Sequence, residues 1–482
     1  MPKSKGCAPC RLRRKKCDEQ KPSCAACVRN VLICVWGPLP SPNCQATTNA
    51  PHVDRASTVR SLPRRQSQLY SSSTCDRTVP GDSTRRPPQG PRSLIQGLGS
   101  LHPQLSQDQP GFLFSFFLQK AAQVVSVRDE ASNPFIHILT PLALRSDMIL
   151  HALLAFSGIV FIRGSSHGIA HAVWEQYAQA VRSLKHNLTR YTSGQKDLAI
   201  QLLLGCLLLC ALEVCNTDTH DHAFLHLKAA RQLIPTAESH CSSSRLFSFA
   251  AGFYSYNLAL LPSCIGDPAD HTIGEDLRFS FRALMRHDTG LGGVLCGCAF
   301  TLFQLIPEVY SVTTAIRDSL QVGKAVPVEA ALSRQRLHSL VQAWTPETAD
   351  EDGARCGLIY QHALLALLEI HPLDENSTDS SLYRRQLVIN MIDLLQTVPV
   401  ESNYTTILCW PLAVLGGYAE DVGHHEVIRN YLTEMAEKYG QGNMYQTIKL
   451  LELIWNRPDL RQMGPRCLLA AMEAQGCRIM FT

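Results

Sequence analysis

Residues 7–34 read Cys7-Ala-Pro-Cys10-Arg11-Leu12-Arg13-Arg14-Lys15-Lys16-Cys17-Asp18-Glu19-Gln20-Lys21-Pro22-Ser23-Cys24-Ala25-Ala26-Cys27-Val28-Arg29-Asn30-Val31-Leu32-Ile33-Cys34. One unit, C-x2-C-x6-C, is written twice with an offset of 17 residues. Six of the 19 cysteines fall in these 28 residues, and the other 13 are spread over the remaining 454. Disulfides are disfavoured inside the cell, and C-x2-C pairs are the usual zinc clasp. Tetrahedral zinc takes four ligands. Six thiolates fill one zinc with two left over, or two zincs if two cysteines bridge; the duplicated spacing favours the second. A segment of about 30 residues builds too small an apolar core to fold alone, so bound metal must supply its folding free energy.

The two halves carry the same ligands but different neighbours. After Cys10 come five cations in six residues, Arg11 to Lys16, whereas the run after Cys27 is mostly apolar. A short helix in the first half projects cations toward a phosphate-lined groove, while its counterpart packs against the cluster. Residues 1–36 sum to +7, and six thiolates with two zinc ions still leave about +5. Arg or Lys facing guanine O6 and N7 is the commonest base-reading contact. A nuclear localisation signal or a solvated charge patch is the plainer reading of the same run, and it is compatible with DNA binding.

These residues resemble the fungal binuclear zinc-cluster DNA-binding domain, in which six cysteines hold two zinc ions. The resemblance implies two zinc ions per chain held by Cys7, Cys10, Cys17, Cys24, Cys27 and Cys34, with Cys7 and Cys24 as bridges. Pro22 matches the family's loop proline. The resemblance also implies that Arg13 and Arg14 read a CGG triplet, Arg14 standing where the family usually has Lys. Arg11 and Lys16 then contact phosphates and set register rather than sequence. Lys15 occupies a slot that is often apolar in the family, and no role is assigned to it.

Beyond the cluster the composition shifts twice. Residues 37–93 hold 18 Ser or Pro in 57 positions and only seven large apolar residues, too few to bury a core, so 37–109 read as a disordered Ser/Pro/Arg-rich linker. No heptad run lies between 37 and 110, which argues against a coiled-coil dimer there. From 110 to 482 the pattern is helical. Val173, Tyr177, Val181, Leu184 and Leu188 form one helical face, and 198–214 is apolar all round, the mark of a central buried helix. Further helices are expected near 112–127, 145–162, 222–234, 243–261, 296–319, 328–343, 355–370, 382–397, 405–419, 424–438, 443–456 and 460–475. Strand alternation is nearly absent, and the length favours two packed helical lobes. The fold class expected is therefore mostly α: a small two-zinc, six-cysteine cluster over 1–36, a linker, and a large all-helical regulatory domain.

The composition, with 45% hydrophobic and 18% charged residues, excludes collagen-like, mucin-like and wholly disordered chains. Net charge is divided, +12 over residues 1–100 and −8 over the rest, so the head points to a polyanionic partner. No apolar run opens the chain, and the uncharged stretches 148–162 and 198–212 hold 15 residues each, short of the roughly 18 that suggest a membrane span. A soluble intracellular protein is expected, with no membrane partner.

The body carries a second resemblance. Asn133-Pro134-Phe135, Leu142-Ala143-Leu144, the run Leu150 to Ala155, His226-Leu227-Lys228-Ala229-Ala230, Gly297-Cys298, Leu302-Phe303 and Ile306 resemble the fungal-specific transcription factor domain. Ala223 stands where that family often has Trp. Rival chemistry is weaker. Gly164-Ser165-Ser166-His167-Gly168 fits G-x-S-x-G, but that motif needs a parallel sheet to display its serine, and no βαβ alternation exists. His220, His222 and His226 lack a completing ligand, and Cys206, Cys210 and Cys215 read as small core hydrophobes. Trp344 with Glu347, Asp350, Glu351 and Asp352 reads as a solvated helix connection before it reads as an activation segment. The expected protein is a nuclear, sequence-specific transcription factor of the fungal RNA polymerase II type, not an enzyme. Its expected partners are double-stranded DNA, a second copy through the helical domain, and coregulators. The alternative is a zinc-module adaptor or ligand-binding helical protein without sequence-specific DNA binding.

Overall fold

The computed structural model describes residues 16–20, 24–25, 100–164, 169–217, 221–265, 293–370 and 378–482. By its contacts the chain divides into two units, Met1–Arg92 and Ser93–Thr482. Among the described residues there is no strand, and the second unit is helical throughout.

Regular structure in the second unit starts earlier than position 110. A 3-10 turn spans Pro103–Ser106 and the first helix, α1, spans Asp108–Phe116. Leu105 is fully buried, and His102 Nε2 lies 3.1 Å from an Asp147 carboxylate oxygen. One buried leucine and one polar contact draw this short polar stretch onto the body.

Four helices build the heart of the unit: α2 (Asp147–Gly164), α3 (Ala170–Thr192), α4 (Ala199–Cys215) and α5 (His222–His240). Every residue of α4 except Gln201 is buried, with α2, α3, α5 and α6 (Ser244–Leu260) around it. Within Lys196–Cys215 the most apolar 18 residues have a mean hydropathy of 2.4 and by length and composition would cross a membrane, yet 94% of them are buried inside the protein. It is a core helix. Its one acid, Glu213, is fully buried and accepts a 2.8 Å hydrogen bond from the Tyr177 hydroxyl of α3.

The apolar face expected on α3 holds through Val181 and then fails, because Leu188 is 46% exposed. At 1.5 Å per residue the 23-residue α3 outruns the 18-residue α2 by about 7 Å, so its last turns have no partner there.

The remaining helices are α7 (Ile306–Gln321), α8 (Val328–Gln342), α9 (Glu351–Leu368), α10 (Thr378–Leu395), α11 (Cys409–Gly417), α12 (Val422–Tyr439), α13 (Gly442–Asn456) and α14 (Cys467–Gln475). α9 packs on α7, α8, α10 and α11, while α12 touches α2 and α13 touches α4. Tyr360 of α9 and Trp410 of α11, both fully buried, stack at 5.4 Å.

Three of the departures from the expected bounds fall at prolines. α5 runs through Pro235 to His240, because continued burial of Ala237 outweighs the backbone donor lost at the proline. The helix expected over 296–319 is broken: a 3-10 turn at Gly297–Ala299 and a short helix at Phe300–Phe303 precede α7, which restarts with Pro307 in its first turn. The one expected over 460–475 splits around Gly464-Pro465 into Pro458–Arg461, a 3-10 turn and α14.

Gly440 ends α12 in the left-handed region at φ 60°, and a Cβ there would collide with the Val160 carbonyl of α2. Gly440→Ala should therefore destabilise the chain by about 1–3 kcal/mol, read as a lower urea midpoint with unchanged slope. Burial pushes the His362 imidazole on α9 down to about 4 and lowers that of His151 on α2. Near pH 6.5 the unfolded chain takes up these protons while the folded one refuses them. Stability should be full above pH 6.5 and fall as pH drops toward about 4, with His362→Gln flattening the slope of far-UV urea midpoints over that window.

Candidate zinc centre and nucleic-acid interface

The described part of the cysteine cluster is two short segments, Lys16 to Gln20 and Cys24 to Ala25. Cys17 is half-buried and Cys24 is fully buried. Their two sulfurs and a carboxylate oxygen of Asp18 all lie within 4.8 Å of one another. Two zinc-bound thiolates at Zn–S ≈ 2.3 Å stand about 3.8 Å apart across a tetrahedral ion, so this separation fits a shared metal. The soft sulfur donors suit zinc, and the cation would offset the repulsion between thiolates held this close.

The backbone explains how residues seven apart in sequence meet. Glu19 takes a left-handed φ of 57°, which reverses the chain directly after Cys17. Its N–H points back at Cys17 Sγ, 3.4 Å away, and so drains charge from the thiolate. Asp18 then reaches across. Both its oxygens accept from the Ala25 N–H, at 3.1 and 3.0 Å, and Ala25 is helical. The carboxylate thus ties the turn after Cys17 to the helical turn at Cys24. Asp18 went unassigned in the sequence, where only its place directly behind a cysteine marks it.

Lys16 is exposed beside this turn. Cys7, Cys10, Cys27, Cys34, Pro22, Arg11, Arg13 and Arg14 lie outside the described residues, as does the expected linker up to residue 99.

Elsewhere the candidate sites dissolve into the helical core. Burial pushes the thiols of Cys206, Cys215, Cys409 and Cys467 up to about 12, and that of Cys264 to about 11, so they are protonated and packed like small apolar side chains. Among the described residues no group of metal-ligating side chains gathers around His222 and His226; His226 is buried on α5, and Asp221 at its start lies 3.7 Å from Arg478. Residues Gly158 to Ile162, which precede the G-x-S-x-G run, are helical in α2, whereas a nucleophile elbow needs a strand; Ser166 itself lies outside the described residues. The acidic run after Trp344 caps a helix. Asp350 accepts from the Gly353 N–H at 2.8 Å, and Arg355 pairs with Glu351 and Asp352. Trp344 donates to Thr301 at 3.0 Å, and its carbonyl accepts from Gln361.

Known proteins give this geometry its context. Residues 5–44 match the fungal Zn(2)-Cys(6) binuclear cluster domain, and residues 112–479 match the fungal specific transcription factor domain. The chain is also similar to the transcriptional activator protein UGA3 of Saccharomyces cerevisiae, 23% identical over 231 residues. That match covers 44% of this chain and 41% of the relative. No solved structure matches. A binuclear cluster domain binds two zinc ions, and the convergence of Cys17 and Cys24 agrees with it.

Elemental analysis of the full-length protein should return two zinc ions per chain. Asp18→Ala should leave that count at two but speed zinc transfer to a chelator about tenfold, since a supporting hydrogen bond and not a ligand is removed. Transfer at the wild-type rate would show that the Asp18 tie holds nothing in place.

Proposed function

The chain belongs to the family of fungal transcription factors that join a binuclear zinc cluster to a fungal specific transcription factor domain, and from that premise we propose that it reads GC-rich triplets of the CGG kind in the nucleus. The observation that carries the reading is the run Arg11 to Lys16, five cations set between Cys10 and Cys17 within residues 5–44, which match the cluster domain. Cys7, Cys10, Cys17, Cys24, Cys27 and Cys34 hold the two ions, Cys7 and Cys24 bridging them. Arg13 and Arg14 reach guanine edges in the major groove, and Arg11 and Lys16 neutralise flanking phosphates.

The proposed division is a DNA-binding module over 1–36, a tether over 37–109 whose last residues, from Pro103 on, fold with the body, and a regulatory body over 110–482. The body self-associates and engages coregulators, and the chain acts on RNA polymerase II promoters of one pathway gene set. No step of this function is catalytic. The yeast relative is a transcriptional activator, and activation is a fitting direction for this chain too.

The adaptor reading shares the zinc but not the base contacts, and salt separates the two. As salt rises, phosphate attraction fades for all duplexes, while a base reader keeps a gap between CGG-containing and random DNA. In binding assays on both duplexes, Arg13→Ala should cost about 1–3 kcal/mol on the CGG site and little on random DNA. Lys16→Ala should weaken both about equally and flatten the salt slope. Equal losses on both duplexes from Arg13→Ala would favour the adaptor.

A further inference from the structure

Three separate elements of the helical body deliver four arginines to one cavity of about 340 Å3. Arg317 comes from α7, Arg384 and Arg385 from α10, and Arg461 from the short helix Pro458–Arg461; Tyr418 and Glu420 close the wall after α11. Among the described residues, four arginines therefore line the space with one acid, a local excess of positive charge in a body whose sequence is net acidic.

The arginines are held, which distinguishes this cavity from a chance patch of surface cations. Arg317 is 5% exposed, and it lies directly against Gly464, whose φ of 56° and missing side chain leave room for the guanidinium; a Cβ there would collide with Arg317 Nη2. Arg384 donates to the Glu369 carbonyl at 2.6 Å and sits over the Tyr418 ring, 5.6 Å from its centroid. Arg385 pairs with Glu420 at 2.5 Å, so the one acid in the lining among the described residues is already engaged. Arg461 makes no side-chain hydrogen bond or ion pair among the described residues. Like charges gathered around one cavity repel, and the cost falls when an anion enters. Arginine forks match the geometry of carboxylate and phosphate, two hydrogen bonds at a time.

We propose that this cavity is a binding site for a small organic anion carrying at least two negative charges, a dicarboxylate or a phosphate monoester. Its volume suits a metabolite-sized ligand. The polar lining, with Glu420 beside Arg385, disfavours apolar compounds and simple cations. Two negative groups on one ligand would span guanidiniums from different helices, so an occupied site clamps α7, α10 and the Pro458–Gly464 segment together. The site stands on the helical body alone and does not depend on how the zinc module meets DNA.

Calorimetric titration and thermal unfolding of the full-length, zinc-loaded protein test this, with succinate and glycerol 3-phosphate as probes and acetate at matched ionic strength as control. Neither probe grips zinc strongly enough to strip the cluster at low millimolar concentration. At least one should bind saturably, once per chain, and raise the unfolding temperature where acetate does not. Binding by both would mean that charge is read alone, and binding by one would fix the chemical group. Arg461→Gln should weaken the affinity tenfold or more. Glu420→Gln, which releases Arg385, should strengthen it several-fold, and Lys449→Gln on the exposed side of α13 should change nothing. No saturable binding of either probe would overturn the proposal, as would affinity that ignores both Arg461→Gln and Glu420→Gln. Loss of CGG discrimination in the DNA assay with probe binding intact would instead fault the promoter-reading role and leave this site standing.

Discussion

A helix of 17 residues with one glutamine open to the edge and one buried glutamate has no face to offer water, so other helices must surround it. That requirement on Ala199–Cys215 organises the body. Helices before and after it in sequence close around it, and α13, more than 200 residues downstream, reaches back to touch it. Each fully buried leucine contributes roughly 1.5–3 kcal/mol, and the run Leu202-Leu203-Leu204 with Leu207-Leu208-Leu209 gathers six of them. The acid at Glu213 is tolerated because Tyr177 meets it with a hydroxyl.

The zinc module answers the opposite problem. Its cysteine-rich stretch is too short to build an apolar core that folds alone, so its shape has to come from bonds to metal and from polar ties such as Asp18 to Ala25. The same small size leaves its surface free for cations. A chain with both units thus combines two sources of order: solvent exclusion in the body, and coordination in the head. Changes of conditions should separate them, since chelation acts on one and protonation of buried histidines on the other.

Cations serve different ends in the two units. In the head, the run from Arg11 to Lys16 is contiguous in sequence, which suits a single turn laid along a phosphate backbone. In the body, Arg317, Arg384, Arg385 and Arg461 are scattered over 145 positions and meet only because α7, α10 and the segment after α13 pack together. On the proposed readings, contiguous charge suits an extended polyanion and converging charge suits a small one.

The cysteine spacing, the central apolar helix and the all-helical body were legible in the chain alone, because each is a local pattern whose period or spacing has one physical solution. Boundaries at prolines were less so. Pro235 sits within a helix and Pro307 restarts one, and which happens depends on how much apolar surface beyond the proline finds a partner. The tie from Asp18 to Ala25, the exposure of Leu188 and the gathering of four arginines had no signature in sequence. Those features join residues that no local period relates, or depend on where a neighbouring helix stops. A side chain's own identity sets what it would bind, and only the packed fold sets what it can reach.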